Sequence, residues 1–428
     1  MVTLSTANDV LKQVYLGVVS NQINTNINPL LAKMEQTTAD VWGKEIRKVA
    51  PIGLNGGVSS GDEDGALPIA GGNVYKQFSL TLKNLFGKIE ISDKAIRASQ
   101  NSAGAFVNLL NAEMDGLIKA ASFNFGRMLY GDGKGLLATI VDNGTSYVVV
   151  GDLKNLAEGM IVDVVDANGN KLSGHSGLRI SSIDRANKYV YLPKTMTASA
   201  LKVVSNSQPT QYYLCVQNSF GKELTGLGAI MKDTGNLYGL SRSSYNWLVP
   251  HMKDLTDSGS ETDITDIKIQ SAIDKLEEDY DSRIDFIVCS SGVKRNYQEY
   301  LAAYRSNVDI MNLAGGYKAI SYNGVPIVSD RFMPANTMYL LNTKDFHLHQ
   351  LCDWRWLEGE DGRVLKQNAG YASYTATLVK YADMICDKPS SKFKSLMFRP
   401  FKKCRKIRGF SDFRFPKNCK IDISLCKF

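Results

Sequence analysis

Only four histidines occur in the 428 residues, His175, His251, His347 and His349. Acid-base and metal chemistry near neutral pH therefore has few places to sit. Two of the four fall in Asp345-Phe-His347-Leu-His349. On a β-strand, alternation puts these three polar side chains on one face, with Phe346 and Leu348 on the other. Two imidazoles and a carboxylate could hold a divalent cation. A half-solvated strand with its polar residues outward explains the same pattern and is the preferred reading. No catalytic residue, metal ligand or cofactor site is assigned.

Other motifs fail on context. Gly57-Val-Ser59-Ser-Gly61 spells the G-x-S-x-G nucleophile elbow, but an elbow needs a buried strand before it and a helix after it. Here both flanks are glycine loop, so Ser59 reads as a flexible-loop residue. Gly126-Arg-Met-Leu-Tyr-Gly131 has the glycine spacing of a phosphate-binding loop. Asp132 stands where the phosphate-binding lysine belongs and would repel the anion. Gly226-Leu-Gly228 is followed by Met231 where a dinucleotide motif wants glycine, and no strand feeds it. Asp166, Asn168 and Asn170 mimic the start of a calcium loop, yet Lys171 replaces the required glycine and Gly177 sits at the position of the bidentate acid. A hairpin turn accounts for them. Glu277-Glu278-Asp279 reads as an exposed helix face.

The composition, 44% hydrophobic and 22% charged, is that of an ordinary globular protein and excludes disorder, collagen and a disulfide miniprotein. At roughly 150 residues per domain the length suggests about three folding units. No run approaches the ~20 apolar residues of a membrane helix. The stretch Met1 to Asn28 lacks the pattern of a secretory signal. Seven cysteines, spread widely and never spaced C-x-x-C, suit reduced thiols in a cytoplasm. The formal charge of +7 is uneven. From Ser391 onward twelve Lys or Arg face only Asp412 and Asp422, a local balance of +10 that leaves the preceding residues at −3.

The elements that would position these residues follow from periodicity. Residues 1–50 read as an arm with short helices, marked by Val10, Val14, Leu16, Leu30, Leu31 and Met34. Gly53 to Gly72 holds seven glycines in twenty residues around Asp62, Glu63 and Asp64, a segment unable to pack a core of its own. Beyond it Phe78, Leu80 and Leu82 alternate with polar residues, followed by Ile89 and Ile91. Residues 51–90 therefore read as a long projecting β-hairpin with a mobile tip. Ser102 to Leu129 carries the clearest helical period, from Phe106, Leu109 and Leu110 through Met114, Leu117, Ile118 and Phe125 to Leu129. It runs through a region spanning 91–137 and would be about 42 Å long. Six short β-rich runs within 138–217 point to a small inserted barrel or sandwich. Residues 218–390 read as α+β with mostly antiparallel pairing, including a hairpin turning at Asn323-Gly324. The basic tail, 391–428, interleaves Lys and Arg with Phe393, Phe398, Phe401, Phe410, Phe413 and Phe415. It could neutralise phosphates and stack on bases. Its abrupt change of composition favours an appendage.

The order of parts, arm, glycine-rich hairpin, long helix, β insert and mixed domain closing on a long strand, resembles the major capsid proteins of tailed bacteriophages with the Hong-Kong-97-type fold. The likeness is carried by Asn28-Pro-Leu-Leu, by Gly72 to Tyr130, and by Leu237-Tyr-Gly-Leu-Ser-Arg242 with Trp247 nearby. Ser321 to Asp330 (Ser-Tyr-Asn-Gly-Val-Pro-Ile-Val-Ser-Asp) and Cys352-Asp-Trp-Arg-Trp356 complete it. It covers about Met1 to Pro389. The resemblance implies an extended loop at Gly53 to Leu85 lying over a neighbouring subunit, a spine helix in a peripheral domain, an insertion domain at Ala138 to Gln217, and an axial domain after Ser260. It also implies a non-enzymatic shell subunit that assembles with itself into pentamers and hexamers. Its further partners would be a portal, scaffold and decoration proteins, and encapsidated double-stranded DNA held non-specifically, with no membrane. Its location would be the virion, after assembly in the host bacterial cytoplasm. A body of net negative charge suits a wall that must not trap the genome. The tail departs from the pattern, since such chains usually end near Asp387, and the Lys to Asn crosslink of some relatives is not carried over, because its two partners are not matched residue by residue. A cellular nanocompartment shell of the same fold is the nearest alternative. A metal-dependent hydrolase using Asp345, His347 and His349 is a third.

Overall fold

The computed structural model describes residues 28–53, 55–65, 67–94, 103–193, 204–205, 208–209, 211–254, 263–304, 310–312, 318–359 and 362–396. The apolar positions Val10, Val14 and Leu16, the side chains of Phe106, Leu109 and Leu110, and the tail from 397 onward lie outside the described residues.

The helix Ala103–Tyr130 is 28 residues long. Along its described length Met114, Ile118, Phe125 and Leu129 are buried at intervals of four, seven and four residues, which keeps them on one stripe. That stripe packs on a five-stranded sheet. Its central strand, Ser373–Cys386, is buried almost throughout. Phe346–Trp356 and, further along, Lys366–Gln367 pair with one edge of it and Lys83–Ser92 with the other, all antiparallel to it. The short strand Glu35–Thr37 adds in parallel beyond Phe346–Trp356. Helix and sheet approach closely at Gly87, where a Cβ would stand 2.9 Å from Leu117 Cδ1.

The projecting hairpin is built from Glu45–Ile52 and Val74–Thr81, in register from Glu45 opposite Thr81 to Ile52 opposite Val74, with Val41–Trp42 alongside. Two expectations need correction here. The hairpin begins at Glu45, inside the stretch read as an arm, because Ile46 and Ala50 alternate with charged neighbours on a strand whose partner lies beyond the glycine tip. Lys83–Ser92 leaves the hairpin altogether and pairs over ten residues with Ser373–Cys386.

Residues 136–216 form a seven-stranded sheet around its own core of Leu137, Val148, Val162, Val164, Val190 and Leu214. The strands at its two ends, Leu178–Arg179 and Ser182–Asp184, are consecutive in the chain. Between them Ile180 N–H donates to Met160 and Ser181 N–H to Tyr191, so the sheet curls back on itself.

A second seven-stranded sheet runs in the order 251–254, 393–396, 338–341, 286–289, 325–329, 318–322, 310–312. Alternation in Phe286–Cys289 splits the strand between two cores. Ile287 and Cys289 face the helices Asp266–Tyr280 and Ser291–Tyr304, while Phe286 and Val288 join the core under the long helix. Thr265 caps the first of these helices by accepting the Lys268 N–H, and Asp281 closes it in the left-handed region at φ 47°. Asn323 and Gly324, at φ 48° and 79°, make the two-residue turn between Lys318–Tyr322 and Val325–Ser329.

The strand Phe393–Leu396 sits inside this sheet, parallel to His251–Asp254 and antiparallel to Met338–Leu341. A tail starting at 391 is therefore wrong at its first residues. Lys392 is fully buried against Asp345, Phe393 enters the helix-side core, and Lys394 donates to the Met231 carbonyl. Composition groups these lysines with the basic run after them, whereas the fold pairs Lys392 with Asp345 and spends Lys394 on a carbonyl.

Candidate functional site

The Asp345, His347 and His349 constellation does not assemble. Asp345 closes a 3-10 turn before the strand begins, so alternation does not reach it, and its carboxylate is taken by Lys392. His347 and His349 share a face with ring centres 6.0 Å apart. That face is covered by the arm and not by solvent. His347 lies between Glu35 (Nδ1 to Oε2, 3.3 Å) and Asp387 (Nε2 to Oδ2, 3.2 Å). His349 is buried, with Nδ1 at 2.9 Å from the Ala39 carbonyl. Burial holds the His349 ring below the ordinary histidine range against the pull of that carbonyl. Among the described residues no three His, Cys, Asp or Glu side chains are grouped as ligands of one metal ion.

The two glycine motifs turn out to be halves of one packing joint. The short helix Leu227–Ile230 seats against the last turn of Ala103–Tyr130. A Cβ at Gly226 would stand 2.2 Å from the Met128 carbonyl oxygen, and one at Gly228 would stand 2.8 Å from that of Tyr130. Beside the joint Arg127 and Glu223 form a buried bidentate pair, 2.9 and 2.5 Å. A cleft of about 280 Å³ next to them is lined by Lys83, Asp132, Lys134, Glu223, Thr225 and Asn236 among others. Its carboxylates are engaged, Glu223 by Arg127 and Asp132 by Lys232.

The calcium-like turn is self-satisfied. Asp166 accepts from the N–H groups of Asn168 and Asn170 and from the Asn170 side chain at 2.8 to 2.9 Å. Ser59 lies in the exposed hairpin loop, with no helix after it. That loop is pinched where Gly57 and Gly71 approach so closely that a Cβ at Gly71 would be 2.4 Å from the Gly57 nitrogen.

What stands out is the hairpin, gripped at its foot and bare at its end. At the foot Phe78 is fully buried, with its ring 5.0 Å from Tyr238 and 5.8 Å from Trp247. Tyr238 takes the left-handed conformation, φ 52°, its carbonyl accepts the Ser79 N–H, and its hydroxyl accepts the Cys386 N–H at 2.8 Å. On the other strand Lys48 reaches Asp387 at 2.8 Å. Burial pushes the Asp387 carboxyl up, but His347 and Lys48 outweigh it and hold it below the usual carboxylate range. At the far end Val58, Leu67 and Ile69 are 87%, 89% and 91% exposed, around the acidic Asp62, Glu63 and Asp64. Isolated exposed apolar side chains are ordinary, but here three lie on one loop.

The chain is similar in structure to chains of two phage shells and of an encapsulin. One is the capsid asymmetric unit of Cyanophage A-1(L), with 13% identity over 91% of this chain and 93% of that one, at a TM-score of 0.49. Another is the procapsid of satellite phage P4 including its size determination (Sid) protein, with 12% identity, 90% and 99% coverage, and a TM-score of 0.39. A third is the holo-SrpI encapsulin complex from Synechococcus elongatus PCC 7942, with 9% identity, 95% and 99% coverage, and a TM-score of 0.41. No family model matches the chain, and no curated protein does.

Sequence reasoning missed the residues that hold these parts together. Arg242 donates to the carbonyls of Ala229, Ile230, Thr234 and Leu248, satisfying the end of the short helix. The side chain of Lys380, fully buried, meets Asp353 at 2.7 Å with Phe125 and Trp354 around its ammonium. A charged residue at an inward position of a strand is the local signal that could have flagged Lys380.

Proposed function

We propose that this chain is a structural shell subunit with the Hong-Kong-97-type fold, the major capsid protein of a tailed phage, whose function lies in surfaces completed by other copies of itself. The observation that carries the reading is the hairpin Glu45–Ile52 and Val74–Thr81. Eight rungs of ladder, about 26 Å at ~3.3 Å per residue, extend an apolar and acidic tip away from a well-packed foot. A single folded chain gains nothing from exposing Val58, Leu67 and Ile69 at the end of such a lever. A neighbouring copy that covers them recovers about 25 cal/mol for every Å² buried.

On this reading residues 45–81 are the extended loop. Ala103–Tyr130 is the spine of the peripheral domain, residues 136–216 are the insertion domain, and the sheet with Phe286–Cys289 at its centre is the axial domain meeting its copies around pentamers and hexamers. Portal, scaffold and decoration proteins and packaged DNA would be further partners, and the molecule acts by assembly and not by catalysis.

Sedimentation and negative-stain microscopy of the purified chain provide the test. Closed shells or capsomers are expected from the full chain. A variant with residues 55–71 replaced by a two-residue turn should keep its far-UV signal and unfolding midpoint while failing to close shells. A full chain that stays monomeric under every assembly condition, or a shortened variant that assembles normally, would overturn the proposal.

A further inference from the structure

The insert, residues 136–216, enters and leaves through two neighbouring strands, Leu136–Asn143 and Tyr213–Val216, which pair with each other. Two adjacent connections act as a hinge. They fix a module's position but leave rotation about the line through them. The segments on either side run as one paired ribbon, Val216, Gly221 and Glu223 N–H donating to the Gly135, Lys134 and Gly133 carbonyls, with Gly133, Gly135 and Gly221 at φ 81°, 76° and 70°.

A third attachment removes that freedom. The insert's turn at Asp152–Leu156 reaches the loop Asp330-Arg331-Phe332-Met333, and the two sides exchange hydrogen bonds. Lys154 Nζ donates to the Met333 carbonyl at 3.0 Å, and Arg331 Nε donates to the Lys154 carbonyl at 3.1 Å. Both partners are prepared for the contact. Asp152 accepts the Lys154 N–H at 3.1 Å, shaping the turn. The Arg331 guanidinium lies 4.9 Å from the Phe123 ring centre of the long helix.

The same four-residue loop also binds the arm and the long helix. Asp330, buried, accepts from Asn28 of the arm at 3.1 Å. Phe332 packs edge-on against Phe123 and over Gly126, where a Cβ would stand 3.0 Å from its ring. The loop itself continues from the strand Val325–Ser329.

We propose that the insert is a hinged module whose angle to the rest of the chain is set by the reciprocal Lys154 and Arg331 latch, and that residues 330–333 are the hub through which arm, long helix, second sheet and insert are held in one arrangement. The latch is polar, and Arg331 is exposed, so it can open without exposing a core. The inference concerns this chain alone and stands whether or not the chain builds a shell.

Hydrogen exchange on the purified full-length chain tests it, with Arg331→Ala, Lys154→Ala and the double variant compared with the original chain. Opening of a two-bond surface latch should speed exchange across residues 151–156 by about tenfold in either single variant. The double variant should differ from the singles by no more than about twofold, because either loss opens the same latch. Exchange at Val148, Val164 and Leu214 in the insert's ladder should not change. Arg331→Lys should behave like the alanine variant, since it keeps the charge but loses the Nε–H. Unchanged exchange at 151–156, additive effects of about a hundredfold in the double variant, or rescue by lysine would each overturn the proposal.

Discussion

Asp383 carries its carboxylate into a fully buried position, where it accepts hydrogen bonds from Thr225 N–H and Oγ1 and from the Met384 N–H. Burial pushes this carboxyl up to about 6, although those donors and Lys83 pull it back. The unfolded value is near 3.9, so between about pH 4 and 6 the folded chain binds more protons than the unfolded one. The contribution of Asp383 to stability is then present below pH 4 and lost as pH rises through 6, by about 3 kcal/mol. Asp383→Asn keeps the shape and removes the titration. Denaturant unfolding should show the variant gaining on the original chain across that window and holding the gain above it. The buried Arg127 and Glu223 pair behaves differently, because removing one partner strands a charge. Arg127→Ala should cost about 3–5 kcal/mol in the same measurement.

Between elements, the seat of Leu227–Ile230 on the end of the long helix depends on two missing side chains. Gly226→Ala would drive a Cβ into the carbonyls of Met128, Gly131 and Leu129, at 2.2, 2.6 and 2.8 Å. These are backbone atoms of the helix end and the turn after it, so relief requires moving that backbone. A loss of about 3 kcal/mol or more in thermal unfolding is expected. At Gly87 the obstacle is the Leu117 side chain, 2.9 Å away, which can change rotamer. Gly87→Ala should cost about 1 kcal/mol or less.

For the molecule as a whole, the strand Phe393–Leu396 is part of the second sheet and not an appendage to it. A chain stopped at residue 390 loses Lys392, the partner of Asp345, and opens the second sheet between His251–Asp254 and Met338–Leu341. A chain stopped at residue 396 keeps both. Calorimetry should show a broadened or lost transition for the first and a single sharp one for the second.

Local signals carried the elements whose determinants lie within a few residues. The long helix follows from its apolar spacing, and the turn at Asn323-Gly324 from two residues tolerant of positive φ. Order along the chain was enough to suggest a shell subunit. Tertiary structure decided what depends on distant partners. Glu45–Ile52 is a strand because Val74–Thr81 returns to meet it, past a tip that hides the pairing from any local window. His349 is buried because Ala39 and the arm cover it, and Lys392 is core because Asp345 stands 47 positions away. A residue's type fixes which bonds it can make, but burial and charge pairing depend on which remote groups the fold brings within about 3 Å.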